Sequence, residues 1–199
     1  AGGTPILELR ALHAGYGAME ILHGIDLAVA AGQSLCLVGP NGAGKSTVLH
    51  SIFGFTKIKS GAVVADGQDV TRLTSSAKLK HARIAYILQE NSIFPDMTVE
   101  ENLLMGGYLL ADGGKAREAA ERVFARYDRL AKRWRERAGV LSGGERRLLE
   151  ISRALIMDPQ VLLVDEPAIG LEPRMIDRVF DILADLRDRG AISPEEFEA

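Results

Sequence analysis

The sequence has one cysteine, few aromatic residues and no long hydrophobic run. Cys36 has no second cysteine to pair with, which excludes an intramolecular disulfide and gives no sign of an oxidising compartment. No apolar stretch reaches the roughly 18 residues that a membrane-spanning helix requires. Residues 1–5 have neither the charged nor the apolar region of a signal peptide. We therefore expect a cytoplasmic protein that does not itself insert into a membrane.

A strong excess of charge of either sign is also absent. The formal net charge is -3 over 199 residues. A mildly acidic chain lacks the surplus of Lys and Arg that would neutralise phosphate groups, so we expect no nucleic acid partner. Hydrophobic residues make up 47% of the chain, and its length suits one domain of ordinary size, 1–199.

Short apolar or alternating runs predict the strands of an α/β core. Cys36 lies in one of these runs and is expected to pack as a small hydrophobic residue. A helix should follow from Lys45, and another should open at Pro173 and end at Gly190. The predicted strands are 6–12, 25–29, 35–38, 62–65, 84–88 and Val161–Val164.

The middle third of the chain has helical periodicity and heavy charge, with no strand pattern. Thr98 and Glu101 have the spacing of a capping box that opens a helix. A second helical stretch covers 115–137 with a break near residues 127–128, and a third covers 144–157. This region, residues 91–152, is predicted to be a helical subdomain inserted into a core formed by 4–90 and 153–199.

A glycine-rich loop over residues 39–46 matches the phosphate-binding pattern G-x-x-x-x-G-K-[ST]. Glycines let backbone N–H groups surround a phosphate, and the helix that follows presents its positive end to the same anion. Lys45 is expected to reach the β- and γ-phosphates, and the Ser46 hydroxyl to bind Mg²⁺. A glycine-rich surface turn is disfavoured because the loop lies between a predicted strand and a predicted helix. The expected ATP contacts are Gly39, Pro40, Asn41, Gly42, Ala43, Gly44, Lys45, Ser46 and Thr47.

Two carboxylates follow the predicted strand Val161–Val164. Asp165 at this strand end would lie near Mg²⁺, and Glu166 would act as the general base on the attacking water. The same residues would also fit a purely structural alternative, a buried strand whose acidic end is solvated. The phosphate-binding loop upstream favours the catalytic interpretation.

Residues 141–145 read Leu-Ser-Gly-Gly-Glu. Ser142 and Glu145 have capping-box spacing, and the two glycines leave backbone N–H groups open, which suits an anion at a helix start. The pattern alone would equally describe a well-capped helix. It resembles the signature of ABC (ATP-binding cassette) ATPases, and it lies between the phosphate-binding loop and the acidic strand end, as in that family.

The resemblance covers the chain to about residue 190 and implies a fold and an assembly. The fold is a P-loop NTPase core with a mostly parallel sheet, an N-terminal antiparallel part and an inserted helical subdomain. Two subunits close head to tail over ATP. The signature of one subunit then contacts the γ-phosphate held by the other, through Ser142, Gly143, Gly144 and Glu145.

The resemblance also implies roles for single residues outside these motifs. Tyr16 matches the aromatic residue that stacks on adenine, although an ordinary tyrosine at a strand edge would look the same. Gln89 matches the glutamine that contacts Mg²⁺ or the attacking water, so the expected metal residues are Ser46, Gln89 and Asp165. Ala168 stands where many relatives have serine in the loop after Glu166, and one hydrogen bond across the dimer is then absent.

Several stretches are most similar to the smaller ATPase subunit of branched-chain amino acid importers, among them 82–91, 94–103 and 137–147. ATPases of lipopolysaccharide exporters and of urea-type importers share many of these residues. The resemblance implies membrane-spanning partner subunits, a second ATPase subunit that is a copy or a paralogue, and a location on the inner face of the cell membrane. Kinases and GTPases lack the signature, and soluble ABC ATPases of translation or repair carry tandem cassettes or long insertions.

The family pattern is not matched near the end of the sequence. Relatives have a switch histidine beyond residue 190, whereas the histidines here are His13, His23, His50 and His81. Residues 191–199 resemble a stretch that normally follows further strands, which indicates a gap near 190–191 of roughly 30–45 residues. Either a segment is omitted from the sequence, or the chain is short and acts as a switch that binds ATP with little hydrolysis.

Overall fold

The computed structural model describes residues 5–88, 92–110, 113–124, 128–165, 173, 176–177, 180–181 and 183–184. The chain forms two compact units. The first lies within Ala1–Ile84, Gln160–Leu163 and Ile182–Ala199, and the second within Ala85–Pro159 and Val164–Asp181. None of the described helices is long and apolar enough to span a bilayer.

The described chain begins with strands interrupted by single helices, continues with a run of helices and returns to a strand. The strands are β1 (Pro5–Tyr16), β2 (Met19–Ala30), β3 (Lys57–Ala65), β4 (Gln68–Asp69), β5 (Ile84–Ile87) and β6 (Val161–Val164). The helices are α1 (Lys45–Phe53), α2 (Ser75–His81), α3 (Val99–Gly106), α4 (Gly113–Phe124), α5 (Asp128–Ala131) and α6 (Gly143–Leu155), with a 3₁₀ turn at Ala138–Val140.

A four-stranded antiparallel sheet in the order β2-β1-β3-β4 belongs to the first unit. β1 buries Leu7 and Leu9 in the predicted alternation, and after a register shift it buries Leu12 and Ala14. The strand contacts both α1 and its neighbours in the sheet. Gly61 lies where the register of β1 and β3 shifts, with φ at 84°. A Cβ there would approach the carbonyl oxygen of Ala11 to 2.3 Å, so only glycine fits.

β5 and β6 form a second sheet of two strands. Backbone N–H groups of Gln160 and Val161 donate to Arg83 O, and further along both strands Asp165 N donates to Ile87 O at 3.3 Å. The pairing advances in the same direction on both strands, so they are parallel. The predicted antiparallel N-terminal part is observed, and β5 and β6 form a parallel pair of the kind predicted for the α/β core.

The second unit is built mainly from helices. α3 packs on both α4 and α6, and Leu103, Leu149 and Ile151 are completely buried. Both α3 and α6 begin with a capping box, from Thr98 and from Ser142. Each box supplies acceptors for backbone N–H groups that the first helical turn leaves without partners.

The strand predicted over residues 35–38 is not observed. Described residues 33–40 are neither helix nor strand, and Leu35 and Val38 are 52% and 90% exposed. Cys36 is exposed as well, contrary to the prediction that it packs as a hydrophobic residue. A short apolar run becomes a strand only where a neighbouring strand takes up its hydrogen bonds, and this segment has none within the described part of the chain.

Several predicted features lie outside the described residues. They include Gln89, Glu166, Ala168, the break near residue 127 and everything beyond residue 184. In the helix predicted from Pro173, the described residues 173, 176–177, 180–181 and 183–184 are helical.

Helix α2 was not predicted from the sequence, and it carries a buried lysine. Thr74 caps its start by accepting a hydrogen bond from Ala77 N. Lys78 is fully buried, and its Nζ donates to Ile52 O at 2.7 Å and to Ser51 O at 3.5 Å. These carbonyls belong to the last turn of α1, where a cation interacts favourably with the helix dipole. Lys78 therefore closes the C-terminal end of the helix that starts at the phosphate-binding loop.

The stability of the chain should depend on Lys78 above neutral pH. Burial lowers the pKa of its ammonium from about 10.5 to about 8, although Asp69 opposes this shift. Between pH 8 and 10.5 the unfolded chain then binds more protons than the folded chain, so stability rises with pH. The rise is at most about 3.5 kcal/mol, at about 1.4 kcal/mol for each pKa unit.

Urea unfolding at pH 7.5 and pH 9.5 measures this effect. Wild type should gain stability relative to Lys78→Met as the pH rises. Other titrating groups affect both proteins equally and cancel in the difference. An identical pH dependence in the two proteins would show that the Lys78 ammonium is not desolvated.

Candidate nucleotide-binding site

The phosphate-binding loop makes tight turns that depend on glycine. Gly42 and Gly44 have φ values of 83° and 92°, in the left-handed region that side chains disfavour. Ala43 N donates to Pro40 O at 3.2 Å, and α1 begins at Lys45 directly after the loop. A Cβ at Gly44 would lie 3.3 Å from Cδ2 of Leu22, so strand β2 also restricts this position. The loop therefore leads its backbone straight into a helix N-terminus.

Lys45 folds back over this loop. Its Nζ donates to Gly39 O at 2.8 Å and to Pro40 O at 2.9 Å, which places the ammonium against the loop backbone. Ser46 is half-buried and Thr47 is buried in the first turn of α1. Gly39, Pro40, Asn41, Gly42 and Ala43 are exposed. A cation, a hydroxyl and a helix start are thus gathered where an anionic ligand can reach them.

Tyr16 lies at the end of β1 and contacts α1. Its hydroxyl hydrogen-bonds Nδ1 of His50, and the two rings meet edge to face with centroids 6.0 Å apart. The His50 ring in turn meets that of Phe55 at 5.6 Å. Tyr16 remains 42% exposed, so an aromatic surface is available beside the helix that starts at Lys45.

Asp165 is buried at the end of β6, in the second unit. Its Oδ2 accepts a hydrogen bond from the Tyr86 hydroxyl at 3.0 Å. Tyr86 lies on β5, so neighbouring parallel strands bring the two residues together. The hydrogen bond from the Tyr86 hydroxyl therefore orients the Asp165 carboxylate. Glu166, the predicted general base, lies outside the described residues.

The signature residues form the start of α6. Ser142 N and Oγ both donate to Oε2 of Glu145, at 2.9 and 2.8 Å, and Glu145 N donates to Ser142 Oγ at 3.3 Å. Ser142 and Gly143 are exposed, whereas Gly144 is buried. The N–H groups of the first turn have no acceptor within the helix, so Gly143 presents a backbone donor at an exposed helix start.

Arg133 stabilises the signature from outside it. Its Nη1 donates to the same Oε2 of Glu145 at 2.8 Å, and its guanidinium also pairs with Glu136. Burial alone would raise the pKa of Glu145, but the hydrogen bonds from Ser142 and the Arg133 guanidinium together lower it. Glu145 is therefore held as a carboxylate that points into its own helix cap.

Several supporting residues were missed by the sequence interpretation. Tyr86 and Arg133 hold predicted site residues, and His50 contacts Tyr16. Arg147 and Glu150 form an ion pair at 2.8 Å on the buried face of α6. The pair also hydrogen-bonds the backbone of Leu88 and Ser92, the described residues on either side of 89–91. The sequence signal for this pair was two opposite charges three residues apart on a helix face that is otherwise apolar.

Comparison with known proteins places these motifs in a single family. The model of the family described as ABC transporter matches residues 22–169. The branched-chain amino acid transport ATP-binding protein BraG of Pseudomonas aeruginosa is 38% identical over 175 residues, covering 88% of this chain and 74% of that protein. A probable branched-chain amino acid transport ATP-binding protein, LivF of Archaeoglobus fulgidus, is 37% identical, covering 92% and 77%.

More distant relatives and solved structures agree on the fold. The lipoprotein-releasing system ATP-binding protein LolD of Roseobacter denitrificans is 35% identical, covering 94% of this chain and 86% of its own. The ADP conformation of MJ1267, an ATP-binding cassette of an ABC transporter, aligns with a TM-score of 0.84 at 29% identity. That alignment covers 96% of this chain and 80% of the other.

Proposed function

Because this chain belongs to the ABC transporter family, we propose that it is the ATPase subunit that powers a branched-chain amino acid importer. The family assigns it an ABC ATPase domain that binds ATP. The roles of single residues, the dimer, the substrate and the membrane partners are parts of the proposal.

The P-loop is proposed to bind the phosphates of ATP. The Lys45 ammonium already lies against two loop carbonyls, and a phosphate oxygen would be a stronger, charged acceptor for it. Tyr16 offers its exposed ring for the adenine. The Ser46 hydroxyl and the Asp165 carboxylate are hard oxygen donors of the kind that Mg²⁺ prefers, with Gln89 as a third, and the ion would neutralise phosphate charge.

Hydrolysis is proposed to depend on two acidic residues with different tasks. Tyr86 holds Asp165 by a hydrogen bond at the end of β6, and this fixes the carboxylate that would face the metal. Glu166 follows it directly and would take a proton from the attacking water as general base. Gln89 would orient that water.

The observation that supports the dimer proposal is the open space around Gly143. It is exposed at the start of α6, and a Cβ built there meets no atom within 4 Å in the described part of the chain. Nothing described in this chain therefore requires glycine at this position. A requirement would come from a molecule outside it, such as the γ-phosphate of ATP bound to a second subunit.

The proposed partners and substrate are supported by the relatives. The names of BraG and LivF assign those proteins to branched-chain amino acid transport, and the stretches that resemble such subunits point the same way. The helical subdomain, residues 91–152, would contact the membrane-spanning subunits on the cytoplasmic face of the membrane. ATP-dependent uptake of leucine by vesicles that carry the complex, and no uptake of urea, would support this substrate.

Complementation between two inactive variants tests the head-to-tail dimer. Gly143→Arg should fold, because its side chain enters open space, yet block the signature. Lys45→Ala should disable the P-loop. Each variant alone should lose hydrolysis, whereas a mixture should regain part of it, because a mixed dimer has one site with both halves intact. The readout is phosphate release at constant total protein.

The chain offers a matched control at the start of another helix. Gly113 is exposed at the first position of α4, and a Cβ built there also meets no atom within 4 Å in the described part of the chain. Gly113→Arg should leave hydrolysis within about twofold, as for most exposed substitutions. If two folded variants are each inactive and remain inactive when mixed, the signature does not act across a dimer.

A further inference from the structure

Three metal-ligating side chains cluster on the antiparallel sheet of the first unit. His13 lies on β1, and Glu20 and His23 lie on β2. Nδ1 of His13 is 2.8 Å from Oε1 of Glu20, and Nδ1 of His23 is 3.1 Å from the same oxygen. One potential ligand atom from each residue lies within 4.8 Å of the other two. None of the three belongs to the proposed nucleotide site.

We propose that His13, Glu20 and His23 bind a Zn²⁺ ion. Two imidazole nitrogens and one carboxylate oxygen form a ligand set typical of zinc, with water completing a tetrahedral site. Imidazole ligands favour zinc and copper, whereas magnesium and calcium prefer oxygen alone. The ligand chemistry therefore separates this site from that of the Mg²⁺ that accompanies ATP.

The strand geometry supports this ligand arrangement. β1 and β2 form a hairpin in which Gly15 pairs with Glu20 and Ala14 pairs with Leu22, with register shifts on either side of Ala14. These shifts let His13 and His23 approach the same carboxylate oxygen. Donor atoms about 2.0–2.1 Å from a tetrahedral zinc lie roughly 3.3 Å apart. The observed separations of 2.8 and 3.1 Å need to widen by only a few tenths of an ångström.

The carboxylate of Glu20 is prepared for this role. Nζ of Lys59 pairs with the other carboxylate oxygen, Oε2, at 3.0 Å and leaves Oε1 to the histidines. Lys59 would orient the carboxylate while its positive charge limits the affinity for the ion.

A bound ion would fasten β1 to β2 near the turn at residues 17–18, which follows Tyr16. It would replace the protons that the imidazoles share with Glu20, because a metal requires deprotonated ligands. An ion that binds only the folded chain stabilises it by mass action. Zinc should therefore raise the unfolding temperature of the chain.

Calorimetric titration of the chelator-treated chain with Zn²⁺, without nucleotide, tests the proposal. Wild type should bind one ion per chain and unfold at a higher temperature with zinc. His13→Ala, His23→Ala and Glu20→Gln should each weaken binding at least tenfold and remove the thermal shift. His81→Ala is the matched control, since it removes an exposed imidazole from α2 and should bind zinc as wild type does.

The alternative is an ordinary hydrogen-bonded surface cluster. It predicts no saturable binding at one ion per chain, or equal losses in His81→Ala and in the cluster variants. Either result overturns the proposal. X-ray absorption of the zinc-bound chain gives an independent readout, with two nitrogen and at least one oxygen neighbours near 2.0–2.2 Å. Because each variant is also checked by its unfolding curve without zinc, misfolding is distinguished from loss of a ligand.

Discussion

Replacing Lys45 with alanine is expected to weaken ATP binding by at least about tenfold and up to about 100-fold. The Lys45 ammonium donates two hydrogen bonds within the P-loop, to Gly39 O and Pro40 O. A phosphate oxygen can replace these carbonyls, and a hydrogen bond between charged groups contributes about 1.5–3 kcal/mol. Each 1.4 kcal/mol changes affinity about tenfold. Binding of a fluorescent ATP analogue to both proteins measures the difference.

The control for this experiment is a lysine of the same unit. Lys80 is exposed on α2, and Lys80→Ala changes the net charge of the chain by the same amount as Lys45→Ala does. It should bind the analogue as wild type does, since surface charges separated from a site by water are largely screened. Should Lys45→Ala bind within threefold of wild type while its unfolding curve is unchanged, Lys45 does not contact the phosphates.

The features that the sequence predicted well depend on local interactions. Ser142 and Glu145 form the capping box that their spacing indicates, and so do Thr98 and Glu101. β6 has the predicted bounds because a run of four apolar residues is closed at both ends by polar ones. A capping box needs only residues three apart, so the sequence contains all of its information.

The features that were missed depend on residues far apart in the sequence. The run 35–38 has the composition of a strand, yet a strand also needs a partner, and composition does not supply one. Burial of Lys78 is possible because the carbonyls of Ser51 and Ile52 accept hydrogen bonds from its ammonium. Nothing in the pattern of α2 distinguishes this lysine from the exposed Lys80.

The candidate site shows the same division. The glycines of the P-loop and the order of the motifs were visible in the sequence, because backbone geometry restricts those positions to glycine. Tyr86 and Arg133 were not visible, since each reaches a site residue through tertiary packing. Their partners, Asp165 and Glu145, were predicted without the hydrogen bonds that hold them.

Breaking the buried ion pair of Arg147 and Glu150 should destabilise the chain by about 3–5 kcal/mol. The side chains are 6% and 7% exposed, and Nη1 of Arg147 lies 2.8 Å from Glu150 Oε2. In Arg147→Ala or Glu150→Ala the remaining charge stays buried without its counterion. Nη2 of Arg147 already lacks a hydrogen-bond partner among the described residues, which makes this site sensitive to further loss.

Urea unfolding of the two single variants and of Arg147→Met/Glu150→Leu separates the charge effect from packing. The double variant removes both charges and keeps apolar volume, so it should recover most of the lost stability. Arg122→Ala is the control, because Arg122 and Glu118 form an exposed pair at 63% and 70% exposure, and its loss should cost less than about 1 kcal/mol. A cost below about 1 kcal/mol for Glu150→Ala would show that the pair is solvated.

The same pair should also affect catalysis, because it holds both ends of the segment that contains Gln89. Arg147 donates to Leu88 O at 2.8 Å, and Glu150 accepts from Ser92 N at 3.3 Å. The double variant keeps the fold but loses both of these contacts. We therefore expect it to bind ATP like wild type and to hydrolyse it at least about tenfold more slowly, as positioning interactions of this strength imply. Normal hydrolysis in a stable double variant would limit the pair to a structural role.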